Sequence, residues 1–234
     1  MYPRRKRSTE LSRGEIARGW VFFLLYLFVS PVLMGQLQAL LSLRFHFFLQ
    51  PAEFSLIYYF LLLCAALVLF WGLLRRGFDT LLDDLPENLF AFVAGLVGAG
   101  VLHFLVGLLP LPEDPYALAY REQFAAAPAA TAVVLVVLMP LLEELLFRGL
   151  LYGSLRWYSR GLACAASVVG YLLFLTLPLV FSPEGFQPSY LLLAVWYLPM
   201  SAALTWCYDR GGSVWSAVLL HMAINGFTLV SAVH

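Results

Sequence analysis

The sequence predicts an all-α integral membrane protein of about seven transmembrane helices, with its amino terminus cytoplasmic and its carboxy terminus outside. Three observations predict it. Of 234 residues, 62% are hydrophobic and only 12% charged, far from the composition of a soluble domain. Apolar stretches of about 20 residues, enough to cross a bilayer as a helix, recur along the whole length. Lys and Arg fall almost entirely in alternate breaks between those stretches, as expected where cytoplasmic loops hold the positive charge.

The helices are placed at 19–41, 54–74, 88–109, 128–152, 161–181, 189–208 and 213–232. The first follows a basic segment and lacks a small-residue cleavage pattern, so it is expected to remain as an anchor. Its exit is marked by Gln50-Pro51, and the second ends in the polar stretch from Arg75 to Asn88. The third carries Ala91, Gly95 and Ala99 at four-residue spacing, which allows close helix approach. The Pro110 to Pro115 segment separates it from the fourth. Ser182-Pro183-Glu184-Gly185 and Asp209-Arg210-Gly211-Gly212 punctuate the remaining breaks. No polar stretch is long enough for a soluble domain, so a single membrane domain is expected, with 1–127 holding helices one to three and 128–234 helices four to seven.

With the amino terminus inside, Arg4, Arg5, Lys6, Arg7, Arg13, Arg18, Arg75, Arg76, Arg148, Arg156, Arg160 and Arg210 fall on the inner side, and only Arg44 and Arg121 outside. This distribution makes the RRKR run a topology signal, and nucleic acid is not an expected partner. Cys64, Cys164 and Cys207 all lie in helices and are expected to be free thiols. The tryptophans cluster near helix ends, as an interfacial belt does, and Arg156-Trp157-Tyr158 with Arg160 form a basic aromatic anchor.

Two constellations can carry chemistry. In "MPLLEELLFRGLLYGSL", residues 139–155, Glu143 and Glu144 occupy an apolar run, where ionisable groups are costly and point to function. Residues four apart share a helical face, so Glu144 stacks with Arg148, whereas Glu143 shares its face with Met139 and Phe147 and needs a partner from another helix. The bland reading is a salt-bridged helix end at the headgroups. In "SVWSAVLLHMAINGF", residues 213–227, His221 and Asn225 share a face deep in the seventh helix. They could ligate, donate to an oxyanion or orient a water, or simply join helices by a hydrogen bond worth about 1 kcal/mol. His103 on the third helix reads as a packing residue that could reach the same cavity.

These residues resemble the CPBP family of intramembrane proteases, which includes type II CAAX prenyl endopeptidases and relatives linked to bacteriocin processing and immunity. Glu143, Glu144 and Arg148 match its EExxxR motif, "GLLYGSL" continues as in the family, and "RGGSVWSAVLLHMAIN" is similar to its closing HxxxN segment. The resemblance covers about residues 130 to 232, making helices four to seven the catalytic core. One motif departs: where the family carries FxxxH, Phe174 is followed four residues later by Pro178, and no histidine lies between His103 and His221. Proline there offers no base and would bend the helix.

The resemblance implies an endopeptidase in which Glu143 activates water for attack on a peptide bond near the cytoplasmic half of the bilayer, with Glu144, His221 and Asn225 in the catalytic set. The implied substrate is a peptide or membrane protein, lipidated or not, and the implied location a bacterial plasma membrane. No cofactor is expected; Zn²⁺ prefers three protein ligands plus water, and Glu143, His221 and Asn225 form an incomplete set. Pro178 keeps open a pseudoprotease or immunity scaffold on the same fold, and a proton-coupled transporter using Glu143 is a further alternative. Oligomeric state is not legible.

Overall fold

The computed structural model describes residues 11–45, 50–182 and 185–233, so Arg4, Arg5, Lys6 and Arg7 lie outside the described residues. Among those described, seven helices are long and apolar enough to span a membrane: α1 (Arg13–Arg44), α2 (Pro51–Leu69), α4 (Leu85–Val106), α6 (Pro128–Leu155), α7 (Arg160–Val180), α8 (Pro188–Gly211) and α9 (Val214–Val233, its spanning part ending at Ser231). The protein is thus an all-α membrane protein of the expected span number. Two further helices connect spans, α3 (Trp71–Asp83) and α5 (Pro115–Ala126). A two-residue hairpin, β1 (Phe181–Ser182) with β2 (Gly185–Phe186), joins α7 to α8.

Local chemistry sets the ends. Ser12 and Glu15 form a reciprocal capping box at the start of α1, and Gln50 with Glu53 does the same before Pro51. Asp114 caps α5 ahead of Pro115, and Ser159 caps α7. Gly212 ends α8 at φ 74°, the left-handed conformation that glycine adopts without steric cost.

The first span runs Arg13–Arg44 rather than 19–41, most other ends move by a few residues, and two differences change the elements themselves. The second span ends at Leu69, not 74, because the chain breaks at Phe70 (φ −108°, ψ 18°) and restarts as α3. Leu73, Leu74 and Gly77 face the core there while Trp71, Phe78 and Leu82 stay exposed, so an apolar stretch that looked continuous is divided between a span and an amphipathic connector. The stretch after Pro115, expected as a break, is helical because Asp114 and Pro115 together satisfy and shape its first turn. Pro178 does not break α7: it lies in the last turn, where the helix continues to Val180.

α6 is the axis of the bundle. Some 61% of its apolar window is buried, against 39% or less in every other span. Leu142, Leu145, Leu146, Phe147 and Leu150 are essentially inaccessible and pack against Phe22 and Phe23 of α1, Phe70, Leu73 of α3, Tyr171 of α7 and Val218 of α9. Gly149 permits this closeness, since a Cβ there would stand 2.7 Å from Leu73 Cδ2. Ala91, Gly95 and Ala99 form the buried face of α4, as their spacing predicts, and α4 packs chiefly on α8.

Ion pairs gather at the ends that the basic residues assign to the cytoplasm. Glu15 of α1 pairs with Arg76 of α3 at 3.0 Å, Arg210 of α8 with Glu87 of α4, and buried Asp209 accepts from Tyr152 and from Arg160 Nε at 2.8 Å. At the opposite end Tyr197 of α8 donates to Asp114 at 2.6 Å. Cys64, Cys164 and Cys207 are free thiols.

Candidate active site

Glu143 and Glu144 sit midway along the most buried span, and π-helical turns flank them at Val134–Leu138 and Leu145–Tyr152. Such turns widen the helix and frequently mark functional sites. Side chains from neighbouring spans meet the carbonyls of both turns: Asn225 Nδ2 donates to Leu135 O at 2.8 Å, and Ser167 Oγ to Phe147 O at 3.0 Å. The two turns are thereby tied to α9 and α7.

Glu144, Arg148 and His221 form one buried cluster. Arg148 Nη1 donates to Glu144 Oε1 at 3.0 Å, and the same oxygen lies 2.9 Å from His221 Nδ1. All three residues are at most 1% exposed. A carboxylate can only accept, so the His221 nitrogen facing it carries the proton. Arg148 also donates through Nη2 to Ser201 O at 3.1 Å and Oγ at 3.3 Å, joining α6 to α8. The i,i+4 pairing expected for Glu144 and Arg148 is present even though the helix is wound more loosely than an ideal α-helix there.

Glu143 faces a different set. Tyr171 Oη donates to its Oε2 at 2.7 Å, and its buried Oε1 has no hydrogen-bond partner among the described residues. Tyr26 of α1, Tyr59 of α2 and Tyr120 of α5 lie within electrostatic range of this carboxylate. Tyr120 Oη also approaches Met139 Sδ, one turn before Glu143, at 3.9 Å. Helices from both halves of the chain therefore wall the carboxylate.

Tyr171 is the residue that sequence reasoning missed. Its ring stands edge-on to Phe147 at 5.1 Å and to His221 at 6.2 Å, and the Arg148 guanidinium carbon lies 4.6 Å above it. A tyrosine in an apolar helix is common, and only two turns separating it from Pro178 on the helix bearing the departed motif could have drawn attention to it. Phe174 packs on Tyr26 and Phe147, whereas Pro178 is exposed. His103 is exposed and meets Trp196 at 4.2 Å, outside this cluster.

The donor set does not suit a metal ion. Among the described residues no group of three or more His, Cys, Asp or Glu is placed to hold one. His221 Nδ1 is committed to Glu144, and the Arg148 guanidinium already supplies the cation beside that carboxylate.

Residues 125–227 match the type II CAAX prenyl endopeptidase Rce1-like family. The UPF0177 protein YbdJ of Lactococcus lactis subsp. lactis (strain IL1403) is 30% identical over 148 residues, 60% of this chain. The chain spans 59% of that relative's length. No solved structure matches the chain.

Proposed function

We propose that this membrane protein, whose residues 125–227 match the Rce1-like family, is an intramembrane endopeptidase of the CPBP type using Glu143 to activate water. The observation that carries the reading is the asymmetry of the two carboxylates. Glu144 takes charged or ring N–H partners, Arg148 and His221, both on Oε1, whereas Glu143 takes one neutral hydroxyl on Oε2; each leaves its other oxygen buried and unpartnered among the described residues. A carboxylate paired with a guanidinium is held in its anionic form and makes a poor base, whereas one held only by a neutral hydroxyl keeps more of its basicity.

In the proposed reaction Glu143 Oε1 takes a proton from water, and the water oxygen bonds to the carbonyl carbon of the scissile peptide. His221, hydrogen-bonded to Glu144 through Nδ1, and its neighbour Asn225 stabilise the developing oxyanion. Asn225, anchored on Leu135 through one amide hydrogen, offers its second to the same oxygen. Glu144 and Arg148 hold His221 in place. No step in this scheme is routed through a metal. The substrate is a peptide bond within a membrane-embedded or membrane-proximal segment, and the location is a bacterial plasma membrane.

The test is cleavage of a broad panel of membrane-proximal peptides by the purified protein and by Glu143→Gln. Loss of the base is expected to lower the rate by about 10²–10⁴-fold. Wild-type protein as silent as the variant would instead point to a binding scaffold, the reading favoured by the missing motif histidine at Pro178. Proton-coupled uptake abolished by the same substitution would identify a transporter.

A further inference from the structure

Resting on the protease reading of this site, we propose that Tyr171 is the positioning residue for Glu143, its hydroxyl holding Oε2 so that the carboxylate is fixed in one plane and presents Oε1 to water. The geometry is restrictive. Tyr171 is 1% exposed, and its ring is fixed by Phe147, Arg148 and His221 on three sides, which leaves its hydroxyl directed at Oε2, 2.7 Å away. Fixing one carboxylate oxygen fixes the plane of the group and hence the direction of the other oxygen's lone pairs.

The chemistry of the donor matters as much as its position. A bare carboxylate at membrane depth takes up a proton and ceases to be a base. A cationic donor would hold the ionised form but bind it too firmly, which is the condition of Glu144. A phenol lies between, stabilising the anion through one hydrogen bond without cancelling its charge. The groups facing Glu143 are Glu144 and Arg148 on its own helix, Tyr171 from α7, His221 from α9, Tyr26 from α1, Tyr59 from α2, and Tyr116 and Tyr120 from α5. Of these, Tyr171 makes the hydrogen bond to it.

Tyr171 keeps its proton throughout the cycle. Glu143 accepts one proton as the water oxygen forms its bond to the carbonyl carbon and the carbonyl π pair moves onto oxygen. When the C–N bond breaks, Glu143 returns that proton to the leaving nitrogen, giving an amine and a carboxylic acid. Arg148 then serves both glutamates, directly at Glu144 and through the Tyr171 ring at Glu143.

Tyr171→Phe keeps the ring, the Arg148 stacking and the packing, and removes the hydroxyl alone. The expected result is a kcat lowered by about 10- to 100-fold with KM within about twofold, as for a base left misaligned. Infrared spectroscopy of the folded variant should show a stronger protonated-carboxyl stretch than wild type, the gain disappearing in Tyr171→Phe/Glu143→Gln. A residue that only packs would leave both kcat and the infrared band unchanged in Tyr171→Phe. An active wild type with an unaltered Tyr171→Phe and no gain in the band overturns the role of Tyr171 alone. Wild-type protein silent toward every peptide overturns the protease reading and this role with it.

Discussion

Replacing Arg148 by methionine tests the cluster most directly, because one side chain joins three helices. The guanidinium is 0% exposed and donates to Glu144 Oε1 at 3.0 Å, to Ser201 O at 3.1 Å and to Ser201 Oγ at 3.3 Å, while stacking 4.6 Å over Tyr171. Removing one partner of a buried pair strands the other charge and costs about 3–5 kcal/mol. The Ser201 and Tyr171 contacts converge on the same head group, so their contributions overlap and do not add to that figure. At roughly 2–4 °C per kcal/mol for a chain of this size, the thermal midpoint should fall by about 6–20 °C. Circular dichroism during heating in a mild detergent, or during titration with a denaturing one, reads this loss. Glu144→Gln/Arg148→Met should recover about half of it, because the stranded charge is gone and the Gln carbonyl still accepts from His221 Nδ1. A loss under about 1 kcal/mol in the single variant, or a double variant no more stable than the single, would refute the buried-pair account.

Two further predictions concern packing and topology. Gly149→Ala places a Cβ 2.7 Å from Leu73 Cδ2 and should destabilise by about 1–3 kcal/mol through overpacking between α6 and α3, with Leu73→Ala in the same chain restoring part of the loss. In a background lacking Cys64, Cys164 and Cys207, Glu113→Cys should react with an impermeant thiol reagent added outside intact cells, and Arg160→Cys only after permeabilisation. The reverse pattern would invert the topology.

The span pattern was legible because bilayer thickness imposes about 20 apolar residues on any helix that crosses it, and composition reports this without tertiary information. The boundary at Phe70 was not legible. Trp71 to Leu74 are as apolar as the span before them, and only packing of Leu73 and Leu74 against the core turns them into a connector. Helical spacing likewise paired Glu144 with Arg148, since both lie on one element. It said nothing about His221 meeting Glu144, a contact between residues 77 positions apart.

The sequence by itself determined that this chain spans a membrane with seven helices and that two carboxylates, an arginine, a histidine and an asparagine lie within them. These are consequences of hydrophobicity, charge and helical period, which act locally. Tertiary structure decided how the two carboxylates differ: Glu144 shares an oxygen between Arg148 and His221, while Glu143 receives a hydroxyl from Tyr171. The reason is physical. At membrane depth little water is at hand to satisfy a carboxylate, so its state depends on the donors that neighbouring helices bring to it, and their arrangement exists only in the packed bundle.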